Sequence, residues 1–241
     1  MVKVCFLGTS DFVEPVREVI KNNFELVSDI KTCDLIVVAS YGKILSKEIL
    51  ESPKYGAINI HPSDLPKYRG PSPIQTQIID GVRESAVTFI KMDEEVDHGP
   101  ILEKISFEIS DNDTFESAVA KAFEIGAGHT VDVIERYISN QIDVTIQDDS
   151  QATFTKILRK EDGFINLDNP PNPEVLERMI RAYFPWPGVW VKFKINSEEK
   201  VIKILPDKKI QVEGKNIVNY KDFVNGYENG GELLKKLQLD F

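Results

Sequence analysis

The chain has 241 residues, 41% hydrophobic and 28% charged, with a net charge of −10, which is the range of a folded globular protein of one large or two smaller domains. Residues 1–150 carry 14 Lys and Arg against 26 Asp and Glu, a balance of −12, and residues 151–241 carry 15 against 13, a balance of +2. An acidic front half does not hold a nucleic-acid backbone, so any phosphate contacts fall mainly to the back half.

Val2–Leu7 reads as a buried strand. Its flanks lack a long apolar core and a small-residue cleavage site, so no signal peptide is expected, and no later stretch reaches the apolar length of a membrane span. Gly8-Thr9-Ser10-Asp11 follows, then an apolar-periodic helix to about Asn22. Strand, glycine turn and helix open a doubly wound α/β domain, but a single glycine is not a dinucleotide fingerprint. Phe24–Val27 is a weak strand. Asp34–Ser40 is a continuous β-branched run, as in a central parallel strand covered on both faces. Tyr41–Leu45 is then a loop at its carboxyl end, and Ser46–Leu50 a short helix. Ala57–Ile60 and Val87–Met92 are further strands. After Asp113 the chain is helical, with Phe115, Val119, Phe123, Val131 and Ile134 on its buried face. Gln141–Gln151 is polar and acidic and reads as a linker. Beyond it come a helix around Glu174–Tyr183 and several short strands broken by turns, as in a small β-barrel. The expected division is a catalytic domain over 1–144, a linker over 145–152 and a small barrel over 153–241.

Cys5 and Cys33 lie in or beside apolar segments and read as buried free thiols of a reducing cytoplasm. Asn59 and His61 sit one residue apart at a strand end, so both side chains leave the same face. In an open α/β sheet, ligands bind at the carboxyl ends of strands, and the loops at 41–45, 61–72 and 93–99 are each expected there. Asp97, in MDEEVDHGP, is placed to bring a carboxylate to the imidazole. Amide, imidazole and carboxylate together activate water or stabilise an oxyanion without a metal or covalent nucleophile. Taken singly, the three residues fit ordinary turn and structural roles as well. Three histidines without ligand spacing argue against a zinc site.

These residues resemble the folate-dependent formyltransferase family. The resemblance runs through DLIVVASYGKILSKEIL (34–50), INIHPSDLPKYRGPSPIQ (58–75) and VTFIKMDEEVDHGPIL (87–102). TFTKILRKEDGFINL (153–167) and RAYFPWPGVW (181–190) are similar to the C-terminal domain of the branch that formylates methionyl-tRNA. The resemblance implies a Rossmann-like, mostly parallel sheet with an OB-like barrel behind it. It implies transfer of a formyl group from 10-formyltetrahydrofolate to a primary amine, with initiator methionyl-tRNA as the partner and no metal. Asn59, His61 and Asp97 take the family's catalytic places. The folate would lie against the backbone of Tyr41, Gly42, Lys43, Ile44 and Leu45 and of Glu95, Val96 and Asp97. Ser63, Asp64, Arg69, Gly70, Lys156, Arg159, Lys160 and Arg181 are candidates for substrate contact.

Two departures from the family pattern stand out. The chain runs almost directly from Val27 to Asp34, where tRNA-formylating members carry a longer stretch that reaches the acceptor stem, and Asp64 replaces a usual leucine. The short form also fits a formyltransferase acting on a nucleotide-linked amino sugar. A binding module without turnover is a third possibility, against which the intact trio argues.

Overall fold

The computed structural model describes residues 1–239. They fall into two compact units, the first formed by 1–74, 83–111 and 117–157 and the second by 75–82, 112–116 and 158 onward.

In chain order the elements of the front part are β1 (Lys3–Leu7), α1 (Glu14–Asn23), β2 (Glu25–Val27), β3 (Leu35–Val38), α2 (Lys47–Glu51), β4 (Ala57–His61), α3 (Pro73–Asp80), β5 (Glu84–Lys91), β6 (Ile101–Glu108) and α4 (Phe115–Ile138). The first unit's sheet has the order β2-β1-β3-β4-β5-β6. The pairs from β2 to β4 are parallel, and β5 and β6 are antiparallel. All four residues of β3 and all five of β4 are buried, as strands covered on both faces require.

The two faces of β4 have different fates. Ile58 and Ile60 point towards α4, where an added Cβ on Gly126 would meet Ile60 at 3.2 Å and Val87 at 3.4 Å. Ala118, Ala122, Gly126 and Thr130 repeat every four residues on this buried side. Their small side chains let the helix axis approach the sheet closely. The large apolar residues expected to carry this face do so only in part, since Phe115 and Val131 are half-buried while Val119, Phe123 and Ile134 are buried.

On the opposite face Ala57 joins Cys5, Cys33, Ile36, Val38, Leu45 and Leu50 in one apolar cluster, with Tyr41 and Met92 packed against it. Asn59 and His61 continue this face by strand alternation, so the polar pair starts where the apolar cover stops. Both cysteines are free and buried, and burial pushes the Cys5 thiol up to about 11.

One expectation is corrected here. The loop after β5 does not leave the carboxyl edge shared by the parallel strands, because β5 runs antiparallel to β4 and sets Lys91 beside Ile58. An apolar run carries no signal of strand direction. The β5–β6 loop instead returns over the face of β4, closed at its neck by Lys91 N–H donating to Pro100 O at 2.9 Å. Gly99 makes that neck possible, since a Cβ there would collide with Lys91 O.

The second unit contains α5 (Pro173–Tyr183), β7 (Val189–Ile195), β8 (Glu198–Leu205), β9 (Lys209–Val212), β10 (Ile217–Asn219), α6 (Tyr220–Gly226) and α7 (Gly230–Lys236). The strands form an antiparallel sheet in the order β10-β9-β8-β7. Asn172 caps α5 by accepting from Val175 N–H at 2.9 Å, with Pro173 at the first helical position. Val189, Val191, Ile202, Ile204, Ile210 and Val212 are buried on one side. The two back-half motifs meet inside this unit. Gly163 lies so close to Gly188 O that a Cβ would collide, and Trp190 Nε1–H donates to Lys160 O at 3.0 Å.

Candidate active site

Asn59, His61 and Asp97 come together in the first unit, over the end of β4. Asn59 Nδ2 donates to Asp97 Oδ1 at 2.9 Å, and His61 Nδ1 faces Asp97 Oδ2 at 3.4 Å. The second oxygen also accepts from Gly70 N–H at 2.8 Å. Asn59 and His61 are buried, and the Asp97 side chain is 13% exposed. Asn59 and Gly70 thus give each oxygen of this largely buried side chain a hydrogen-bond donor.

The imidazole is held from both sides. His61 Nε2 lies 3.0 Å from Tyr68 O, a carbonyl that can only accept, so that contact is a hydrogen bond with the proton on Nε2, and Nδ1 donates to Asp97 Oδ2 when it carries a proton as well. The loop from Pro62 to Gly70 supplies that carbonyl. It turns on Tyr68 at φ +62° and on Gly70 at φ +111°, and Thr88 Oγ1 donates to Ser63 O at 2.6 Å to fix its start.

Asp97 itself has φ +51°, uncommon for a residue with a side chain. That conformation lets the turn aim its carboxylate back at β4.

Next to the two stretches expected to receive folate, Lys47 Nζ at the start of α2 pairs with Glu94 Oε1 in the β5–β6 loop at 2.8 Å. Gly42, Lys43, Ile44, Glu95 and Val96 are exposed, Tyr41 is half-buried and Leu45 is buried. Ile44 and Val96, at 84% and 52% exposure, offer apolar surface on two neighbouring loops.

Several candidate substrate residues have partners within the protein. Ser63 is buried and its hydroxyl donates to Lys67 O at 2.8 Å, closing its own loop. Asp64 pairs with Lys104 at 2.6 Å. Gly70 gives its N–H to Asp97. Arg69 is buried, with Nε and Nη2 on Gln147 Oε1 at 3.1 and 2.8 Å and Nη2 on Asp149 Oδ1 at 2.8 Å. In the second unit Arg181 is buried too, donating to Asp113 O at 2.7 Å and to Glu177 at 3.0 Å. Arg69 and Arg181, candidates for substrate contact, are each held as an internal brace, since acceptors on neighbouring segments replace water around a buried guanidinium. Lys156 in the first unit, and Arg159 and Lys160 in the second, are exposed.

Sequence reading missed Gln147 and the Tyr68 carbonyl. Main-chain acceptors leave no mark in a sequence, and Gln147 sits in an otherwise polar stretch.

A family model described as "Formyl transferase" matches residues 10–134, which span β1's exit turn, β4 and the Asp97 loop. The chain belongs to the formyl transferase family. A methionyl-tRNA formyltransferase of Chloroflexus aggregans is 43% identical over 157 residues, covering 65% of this chain and 50% of that protein. The chain spans about half the length of the curated relatives it matches first. Among solved structures, a methionyl-tRNA formyltransferase from Clostridium thermocellum superposes with a TM-score of 0.68 at 20% identity, covering 91% of this chain and all of that one. An N-formyltransferase from Helicobacter canadensis in complex with folinic acid and dTDP-3-aminofucose gives 0.62 at 18% identity, covering 88% and 95%. At these identities the structural likeness establishes the shared formyltransferase fold.

Proposed function

We propose that this chain transfers a formyl group from 10-formyltetrahydrofolate to the amino group of methionyl-tRNA. The observation that carries the reading is the convergence of Asn59, His61 and Gly70 on one Asp97 carboxylate in a buried arrangement. The names of the curated relatives support the acceptor. The amine would attack the formyl carbon, the bond to N10 of the folate would break, and the amine's proton would pass to the departing nitrogen. Charge grows on the formyl oxygen meanwhile. Asn59 Nδ2 and His61 Nε2 are the donors for that oxygen, the latter exchanging Tyr68 O for it, and Asp97 steers the imidazole and relays the proton through water. The folate would lie along 41–45 and 95–97, where Ile44 and Val96 give its ring apolar cover. Lys156, Arg159 and Lys160 are the cations assigned to the tRNA backbone. We take 1–144 as the catalytic domain, 145–152 as a linker and 153–241 as the C-terminal domain. The reaction belongs in the cytoplasm, the compartment that suits the free thiols of Cys5 and Cys33. No described helix is long and apolar enough to cross a membrane.

One observation favours a second acceptor. Between β2 and β3 the chain has a single short 3-10 turn, Ile30–Thr32, where the family resemblance associates a longer stretch with the acceptor stem. A nucleotide-linked amino sugar needs no such reach. Supplying 10-formyltetrahydrofolate with methionyl-tRNA or with a panel of nucleotide-linked amino sugars decides the matter. Formylated methionyl-tRNA, with salt dependence made shallower by Glu at Lys156, Arg159 and Lys160, supports the main reading. Formylation of a sugar alone rejects it.

A further inference from the structure

Gln147 is buried at 7% exposure although its neighbours in sequence, Ile146 and Asp148 among them, are exposed. Its carboxamide makes four contacts. Oε1 accepts from Arg69 Nε at 3.1 Å and Nη2 at 2.8 Å, and Nε2 donates to Asp97 O at 2.9 Å and Gly99 O at 2.8 Å. A guanidinium only donates and a carbonyl only accepts, so one orientation of the amide satisfies all four and the flipped one satisfies none.

Both carbonyls belong to the turn that carries the Asp97 carboxylate. Asp97 holds φ +51°, a conformation that is strained for a side-chain-bearing residue and persists where the surroundings enforce it. Gln147 grips this turn on both sides of His98. The other end of the clamp, Arg69, precedes Gly70, whose N–H holds Asp97 Oδ2. A single side chain thus couples the backbone of the Asp97 turn to the strand of loop that binds its carboxylate.

We propose that Gln147 is a positioning residue for formyl transfer, holding the Asp97 turn so that the carboxylate stays between Asn59 and His61. The proposal rests on the reading of this site as a formyl-transfer centre. A buried glutamine that merely anchors residues 145–151 would affect stability and leave the chemistry of the folded fraction alone. Asp97 displaced by about 1 Å would instead slow the chemical step on the order of 100-fold.

Gln147→Glu separates the two roles. It retains an acceptor for Arg69 but loses both N–H donors and turns an oxygen towards Asp97 O and Gly99 O. Two quantities are read in parent and variant: kcat and KM for formyl transfer, and the side-chain nitrogen resonances of His61 recorded without substrate. The expected result is a roughly 100-fold fall in kcat with KM for the amine little changed, a displaced pH profile of kcat, and a shifted His61 Nδ1 resonance. A kcat that falls only with the folded fraction, with the parent's pH profile and His61 resonance, overturns the proposal. Should Gln147→Glu not fold, Gln147→Met keeps the volume without setting an acceptor against two carbonyls and carries the same readings. A parent that formylates no amine overturns the functional reading, while the His61 resonance still decides whether Gln147 governs the contact with Asp97.

Discussion

Asn59 and Asp97, 38 positions apart, are joined by a 2.9 Å hydrogen bond from the amide nitrogen to Oδ1. The other carboxylate oxygen is left for Gly70 N–H and the His61 imidazole. Replacing Asn59 by Ala removes a donor from Asp97 and, in the proposed reaction, from the formyl oxygen as well. Single-turnover formyl transfer should slow on the order of 100-fold or more. Asn59→Asp should be worse still at neutral pH, since a second carboxylate would stand beside the first. Equal rates for parent and Asn59→Ala would remove the amide from the mechanism.

Gly99 offers a purely steric test of how Asp97 is delivered. Its Cβ would collide with Lys91 O at the neck of the β5–β6 loop, and no side chain there can swing away because the obstacle is backbone. Gly99→Ala should destabilise the protein by about 2–4 kcal/mol in urea unfolding. Formyl transfer by the protein that remains folded should also fall, because the loop cannot close with Asp97 in place. Gly128→Ala, exposed within α4 with nothing within 4 Å of the added carbon, is the control: it should raise stability by about 1 kcal/mol and leave formyl transfer unchanged.

Much of this site could be read from residues because strand alternation forces it: Asn59 and His61 must share a face once Ala57–His61 is a strand. The path of Asp97 could not. Val87–Met92 looks the same whether it runs parallel or antiparallel, and only its register, His61 opposite Thr88, shows that the loop must double back. β6 is weak in sequence because Glu103 breaks the apolar side formed by Ile101, Ile105 and Phe107, and Leu102 breaks the polar side formed by Lys104, Ser106 and Glu108. Arg69, Arg181 and Gln147 share another cause. Their chemistry suits solvent, and their burial is decided by acceptors as far as 80 positions away.

Arg181 leads to a prediction that separates brace from ligand. Arg181→Ala would leave the buried Asp113 O without this donor, which costs about 1–3 kcal/mol. The thermal midpoint should fall, while the salt dependence of tRNA binding by the folded variant stays that of the parent. Lys160→Glu, on an exposed side chain whose Nζ stands 5.7 Å over the Trp190 ring, should show the opposite pattern. A shallower salt slope for Arg181→Ala at temperatures where it is fully folded would return this residue to the binding surface.

The two thiols should be silent until the sheet opens. Burial, and then the neighbouring Cys33, push Cys5 up to about 11, and Cys33 is raised by burial as well. At pH 8 few thiolates exist in the folded protein, and neither sulfur is accessible. A thiol reagent should therefore label both residues only at the rate of unfolding, and faster labelling of Cys5 alone would show that the edge at β2 opens separately.

His98 closes the Asp97 turn from outside and gives it a pH dependence of definite sign. Nδ1 meets Asp93 Oδ2 at 2.6 Å, and Nε2 stands 3.5 Å from Asp149 Oδ2. The hydrogen bond to Asp93 comes first among the causes that raise the imidazole above its ordinary value, with Glu95 and Asp149 adding to it. Its contribution is therefore fully present below an unfolded value of about 6.5 and is lost as pH rises through the higher folded value. Asp149 works in the other direction. Arg69 lowers it, so its contribution is present above about 3.9 and disappears as pH falls through the lower folded value. Between roughly pH 4 and 6.5 both groups hold the turn. Thermal midpoints of the parent and His98→Asn, taken from pH 5 to pH 9, should differ most at the acid end and converge with rising pH. All these groups are at least a third exposed or close to it, so salt should narrow the gap. A difference that stays constant across the range would mean that His98 contributes by packing and not by charge.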